Sequence, residues 1–163
     1  YKIKEYRYAI ENSQSVAIHV RRGDYLNHPE MYGMSCTTEY YRAGVHYIRE
    51  RHPDAKFFVF TNDPVWTAKW LQENFLGDFT LIQGTDEETG YLDLMLMSQC
   101  KHQIMANSSF SWWGAWLNRN NDKLVVAPEP WFGDRECRDI YTEGMIRINP
   151  HGVIRHKERI SEE

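Results

Sequence analysis

Arg21 and Arg22 stand side by side at the end of an apolar run, and Gly23, Asp24 and Tyr25 follow directly. Two adjacent guanidiniums carry more donors than a surface strand end needs, and their forks match phosphate oxygens in a way that an ammonium cannot. The chemistry they could do is to hold a diphosphate. The same residues fit an ordinary turn, with Gly23 at a positive φ and Asp24 paired to Arg22 on the surface; taken alone they leave both readings open. Arg22-Gly23-Asp24 also spells an adhesion tripeptide, a match that three residues often reach by chance. A second group with chemistry is Asn107-Ser108-Ser109-Phe110-Ser111, where serine hydroxyls beside the free N–H groups of a helix start could cradle an anion or simply cap the helix. Their arrival after a strand, like that of the arginines, favours ligand contact.

The elements must deliver these groups to one place. Val16, Ala17, Ile18 and Val20 form the kind of buried strand that a parallel sheet needs, so the charged tail falls where the strand emerges, which is where open α/β sheets bind ligands. A helix is expected over residues 1–12, then a loop at 26–36 too irregular for an element, then a helix capped by Thr37 or Thr38 with Tyr40, Tyr41, Val45 and Ile48 as its apolar stripe. Strands follow at 56–61, 79–83, 103–106 and 123–127, with a short last one at 146–148. Helices fill 64–74, 91–100 and the stretch after Ser108, and Asp63 before Pro64 is an N-cap candidate. From Asn149 onward, His151, Arg155, His156, Lys157 and Arg159 have no apolar period and are expected to be a solvated tail. The alternation predicts an α/β fold, a Rossmann-like parallel sheet with helices on both faces. One domain covers residues 1–148, with 1–14 expected as a linker helix from a preceding domain.

Composition narrows the function. A net charge of −4 argues against a dedicated nucleic-acid binder, so the arginines serve something small. With aromatic content at 14 %, the chain suits a folded domain that binds flat or ring-shaped ligands such as bases and sugars. Cys36, Cys100 and Cys137 are scattered and odd in number, with no zinc spacing, which fits a reducing, cytoplasmic compartment. No apolar run approaches the roughly 18 to 20 residues of a membrane span. Gly-x-Gly-x-x-Gly, Walker and Gly-x-Ser-x-Gly patterns are all missing, which lowers the prior for a dehydrogenase, an ATPase or a serine hydrolase. Asp86, Glu87 and Glu88 look like a solvated loop rather than a metal site.

Three stretches together carry a family resemblance. His19-Val20-Arg21-Arg22-Gly23-Asp24-Tyr25 resembles the first signature of the family 11 glycosyltransferases, the α-1,2-fucosyltransferases. Phe58-Val59-Phe60-Thr61-Asn62-Asp63 is similar to the family's Phe-Ser-Asp-Asp stretch, with Thr61 and Asn62 departing from it. Ser108-Ser109-Phe110-Ser111-Trp112-Trp113-Gly114-Ala115-Trp116 resembles the third signature in order and spacing. The resemblance implies the C-terminal, donor-binding half of a GT-B enzyme, inverting and independent of metals and cofactors, that takes GDP-fucose and passes fucose to a galactoside hydroxyl. It implies that Arg21 holds the β-phosphate, His19 contacts the GDP near guanine, Asp93 reads the guanine edge, and Ser108 and Ser109 line the phosphates. Phe110 and Arg22 join the substrate-binding set. Asp24 is the expected base, with Glu39 a second candidate and the absent domain a third source. Implied partners are the nucleotide sugar, a glycan acceptor and the N-terminal domain, with peripheral association at the inner membrane face through regions outside this chain; a Golgi-lumenal origin is disfavoured. The alternatives are a GDP-sugar-binding module that transfers nothing and a transferase using another GDP-sugar.

Overall fold

The computed structural model describes residues 2–155. In chain order, α1 (Lys2–Glu11) leads into β1 (Gln14–Val20), a 3-10 turn (Gly23–Asn27), α2 (Pro29–Tyr32), α3 (Thr38–Arg51), β2 (Ala55–Thr61), α4 (Pro64–Asn74) and β3 (Phe79–Leu81). Then come α5 (Gly90–Gln99), β4 (His102–Ile104), α6 (Ser109–Leu117), β5 (Val125–Pro128) and β6 (Ile146–Ile148). The strands form one parallel sheet in the order β3-β2-β1-β4-β5-β6. The chain builds outward from β1 to β3, then returns to the other side of β1, so the order reverses between β1 and β4. The expectation of a Rossmann-like parallel sheet holds.

The two-residue period of the central strands explains the layers. Val16, Ile18 and Val20 of β1, with Phe57 and Val59 of β2, face α3 and α4, packing on Tyr40, Tyr41, Val45, Ile48 and Trp70. Ala17, Phe58 and Phe60 face the other way, onto Ile10 of α1 and Leu96 and Met97 of α5. Each fully buried Val, Ile or Phe contributes on the order of 2 kcal/mol of burial free energy, which is why these strands are apolar on both sides. The stripe expected on α3 is the buried one. On the second face α6 lies against α5 so closely that a Cβ on Gly114 would come within 3.1 Å of the Met97 side chain.

The helix starts follow the sequence. Thr37 caps α3 by accepting from the Tyr40 N–H, and Asp63 caps α4 by accepting from the Trp66 N–H with Pro64 in the first turn. Two segments differ from expectation. The loop at 26–36 contains α2, a single turn stabilised by Pro29 at its start, and Tyr32 at its end stacks on Tyr25 at 3.9 Å. The segment after Ile148 is no solvated tail: Ile154 bridges back to Ile148 and packs on the core, Arg155 donates to Glu129, and the Thr37 hydroxyl donates to the Pro150 carbonyl. His156, Lys157 and Arg159 lie outside the described residues. Among the described residues no helix is long and apolar enough to cross a membrane.

Candidate active site

A crevice of about 980 Å3 opens at the carboxyl ends of β1, β2 and β3, beside the point where the strand order reverses. Strand parity decides which arginine reaches it. His19 and Arg21 continue the side of Ala17 and enter the crevice, whereas Arg22 continues the side of Val20 and turns away. The Arg22 guanidinium lies 3.6 Å over the Trp66 ring and its Nε sits 3.4 Å from Asp63 Oδ2, so α4 holds it. Of the expected substrate-binding residues, Arg22 is thus placed outside the crevice, where its side chain fastens the loop.

That loop is tied down at both ends. Asn62 at the end of β2 accepts from the Arg22 N–H at 2.8 Å and donates from Nδ2 to the Arg22 carbonyl at 3.1 Å. Gly23 takes φ +64°, and a Cβ there would fall 2.8 Å from Asn62 Nδ2, so the turn needs glycine twice over. Tyr25 donates its hydroxyl to the Asn107 carbonyl at 3.1 Å, which fixes the loop to the junction that starts α6.

Inside the crevice three groups differ in charge. Arg21 donates from Nη2 to Asp24 Oδ1 at 2.7 Å, while its Nε is buried without a partner among the described residues. Asp24 lines the crevice as the counter-ion of Arg21. His19 is 5 % exposed, its ring stands 5.6 Å from that of Phe110, and its Nδ1 has no partner among the described residues. Burial, then the charge of Arg21, pushes the imidazole down to about 3, so it is neutral. Asp93 projects from the first turn of α5, half-buried, and accepts from the Thr85 hydroxyl at 2.9 Å. Burial raises its pKa above the usual carboxylate value, and the Thr85 hydrogen bond opposes the rise.

The remaining expected residues divide. Phe110 lines the crevice. Ser108 does not: it is buried, and its hydroxyl accepts from the Phe110 N–H at 3.2 Å as the cap of α6. Ser109 is exposed at the first position of α6, beside Phe110 but outside the crevice wall. Ser111 is buried and donates to the Ala106 and Ser108 carbonyls. Glu39 lies in the first turn of α3 with Arg42 at 2.9 Å and has no place in the crevice. Thr85 and Asn62 are the residues that sequence reasoning missed. The first was hidden in a loop read only for its acidic residues, the second was noted only as a departure from a motif.

A guanidinium, a neutral ring nitrogen and an ionisable carboxyl in one cleft can meet an anion and a polar ring edge at once. The chain is 41 % identical over 152 residues to the alpha-1,2-colitosyltransferase of Escherichia coli, covering 89 % of this chain and 51 % of that protein. It is 36 % identical over 143 residues to the O-antigen biosynthesis glycosyltransferase WbnK of Escherichia coli, covering 85 % and 46 %. It is also 36 % identical over 107 residues to the galactoside alpha-(1,2)-fucosyltransferase 1 of Homo sapiens, covering 63 % and 28 %. The chain thus spans about half the length of the bacterial relatives or less. The model of glycosyl transferase family 11 matches residues 2–149, and with nearly the whole described fold inside that match, the chain belongs to glycosyl transferase family 11.

Proposed function

We propose that this chain is the donor-binding half of a GT-B fucosyltransferase that takes GDP-fucose and transfers fucose, with inversion and without a metal, to a galactoside hydroxyl in α-1,2 linkage. The observation that carries the reading is the meeting of Arg21, His19 and Asp93 in one crevice at the strand-order reversal. Guanine presents N1–H and N2–H₂ donors side by side, and the Asp93 carboxylate, steadied by Thr85, is their acceptor. As the glycosidic bond breaks, negative charge grows on the β-phosphate, and Arg21 meets it with a guanidinium already in place, which favours the transition state over the ground state. Asp24, bonded to Arg21, positions that guanidinium. Asp24, which lines the crevice, is the candidate within this chain for taking the acceptor proton, and the length of the family that this chain does not span is the other source.

Calorimetry with GDP and guanosine tests the reading. Arg21→Ala is expected to weaken GDP about 10- to 100-fold, the loss of one charge-assisted contact, while guanosine stays within about twofold. Equal losses for the two ligands would make the arginine a structural residue and end the assignment. The 41 % identity to a colitosyltransferase supports a second donor reading. Competition between fucosyl and colitosyl donors in the intact protein decides between them, and GDP affinity with transfer of neither identifies a binding module.

A further inference from the structure

On the edge of the sheet opposite the crevice, before β5 and β6 begin, a second cavity of about 490 Å3 lies between the C-terminal half of α6 and residues 142–145. Trp112 and Trp116, one helical turn apart, stack with ring centroids 5.4 Å apart and planes 8° apart. The inner ring is fixed, because the Trp112 indole N–H donates to the Ile140 carbonyl at 2.8 Å. The outer ring, Trp116, is 57 % exposed and lines the cavity.

The other walls choose the ligand. Two of the three N–H donors of Lys123 are spent on the end of α6, at 2.8 Å to the Ala115 carbonyl and 3.0 Å to that of Asn118, which leaves one for a ligand. Glu143 stands exposed on the opposite wall, in no ion pair among the described residues, and its carboxylate disfavours phosphates and nucleotides. Asn121 and Thr142 add side-chain amide and hydroxyl groups. A rigid aromatic platform bordered by a carboxylate, an amide and a hydroxyl complements a neutral ligand with one apolar face and a rim of hydroxyls. We infer that this cavity is a second binding site, separate from the nucleotide crevice, for a neutral sugar residue of a glycan, stacked on Trp116 and hydrogen-bonded by Glu143 and Asn121. A hydrophobic partner would leave those polar groups without partners, which makes it the poorer occupant.

The probe is lactose, and the readout is the indole N–H signals of the protein in 15N-labelled form, among them those of the six Trp of this chain. Lactose is expected to shift the Trp116 and Trp112 signals with or without saturating GDP. Trp116→Ala should weaken lactose at least about fivefold, as fits the loss of a large stacking surface, with Trp116→Tyr keeping part of the affinity and GDP binding staying within about twofold. Glu143→Ala, an exposed change that leaves the fold intact, is expected to weaken lactose as well. Lactose that GDP displaces, shifts that persist in both Trp116→Ala and Glu143→Ala, or no response of the Trp116 signal overturns the proposal. None of these outcomes depends on the assignment of GDP-fucose to the crevice.

Discussion

Asn62 does at the end of β2 what an ionised aspartate cannot do. Its amide both accepts from Arg22 N–H and donates to the Arg22 carbonyl, closing the first functional loop onto the neighbouring strand with one side chain. Asn62→Asp keeps the size and loses the donor, setting a carboxylate oxygen against a carbonyl. The expected cost is about 1–2 kcal/mol, read as a thermal midpoint lower by roughly 2–8 °C, with weaker GDP binding as the loop that carries Arg21 loosens. An unchanged midpoint would mean that the loop is held by Tyr25 and the Arg22–Trp66 contact without Asn62. Which of the two arginines enters the crevice was within reach of the sequence, since the two-residue period of Val16 to Val20 already puts Arg21 with His19 and Arg22 with Val20. What the sequence could not supply was Trp66, 44 positions on, as the surface that holds Arg22.

At the scale of elements, α6 separates two serines that look equivalent in a motif. Ser108 closes the helix start from inside, buried and bonded to the Phe110 N–H, whereas Ser109 stands one residue later in solvent. Ser108→Ala is expected to cost about 1 kcal/mol of stability, the usual worth of a cap, measurable as a shift of the urea midpoint at constant slope. Ser109→Ala should leave stability within about 0.5 kcal/mol and, with Ser109 outside the crevice wall, GDP binding within about twofold, whereas a loss for GDP but not guanosine would extend the donor site to the helix start. If both variants change stability alike, the division between the capping and the exposed serine is wrong. The longer elements were legible because each carries a period and a stop: α3 has its buried stripe and Thr37 cap, and α4 has Asp63 and Pro64. The four residues of α2 are too few to show a period, so the stretch read as a loop although Tyr32 stacks on Tyr25.

At the scale of the molecule, the sequence announces a parallel sheet but not the order of its strands. The order decides that the ends of β1, β2 and β3 share one crevice and that Ile154, with only Val153 beside it as an apolar neighbour in sequence, closes the far edge against Ile148. The same burial that makes the core sets its response to acid. His102 is buried at the start of β4, with Nδ1 accepting from the Leu124 N–H at 2.9 Å and Nε2 bonded to Gln14 Oε1 at 3.1 Å, an arrangement that requires the neutral ring with its proton on Nε2. Burial first, then the nearby His52 and Lys101, holds it down to about 4, and His19 is held down to about 3. In the unfolded chain both titrate near 6.5, so below that pH the unfolded state binds protons that the folded state refuses. The stability contributed by the two neutral rings is therefore full above about pH 6.5. It falls as the pH drops, until the folded rings themselves protonate near 4 and 3. Over that window each histidine steepens the loss by at most about 1.4 kcal/mol per pH unit. His102→Gln, which cannot titrate, is expected to be less stable at neutral pH yet to lose stability more slowly between pH 6.5 and 4, as shown by urea midpoints taken across that range. A slope equal to that of the unmodified protein would show that His102 protonates in the fold as easily as in the open chain, and the buried hydrogen-bonded ring would then have no part in acid sensitivity.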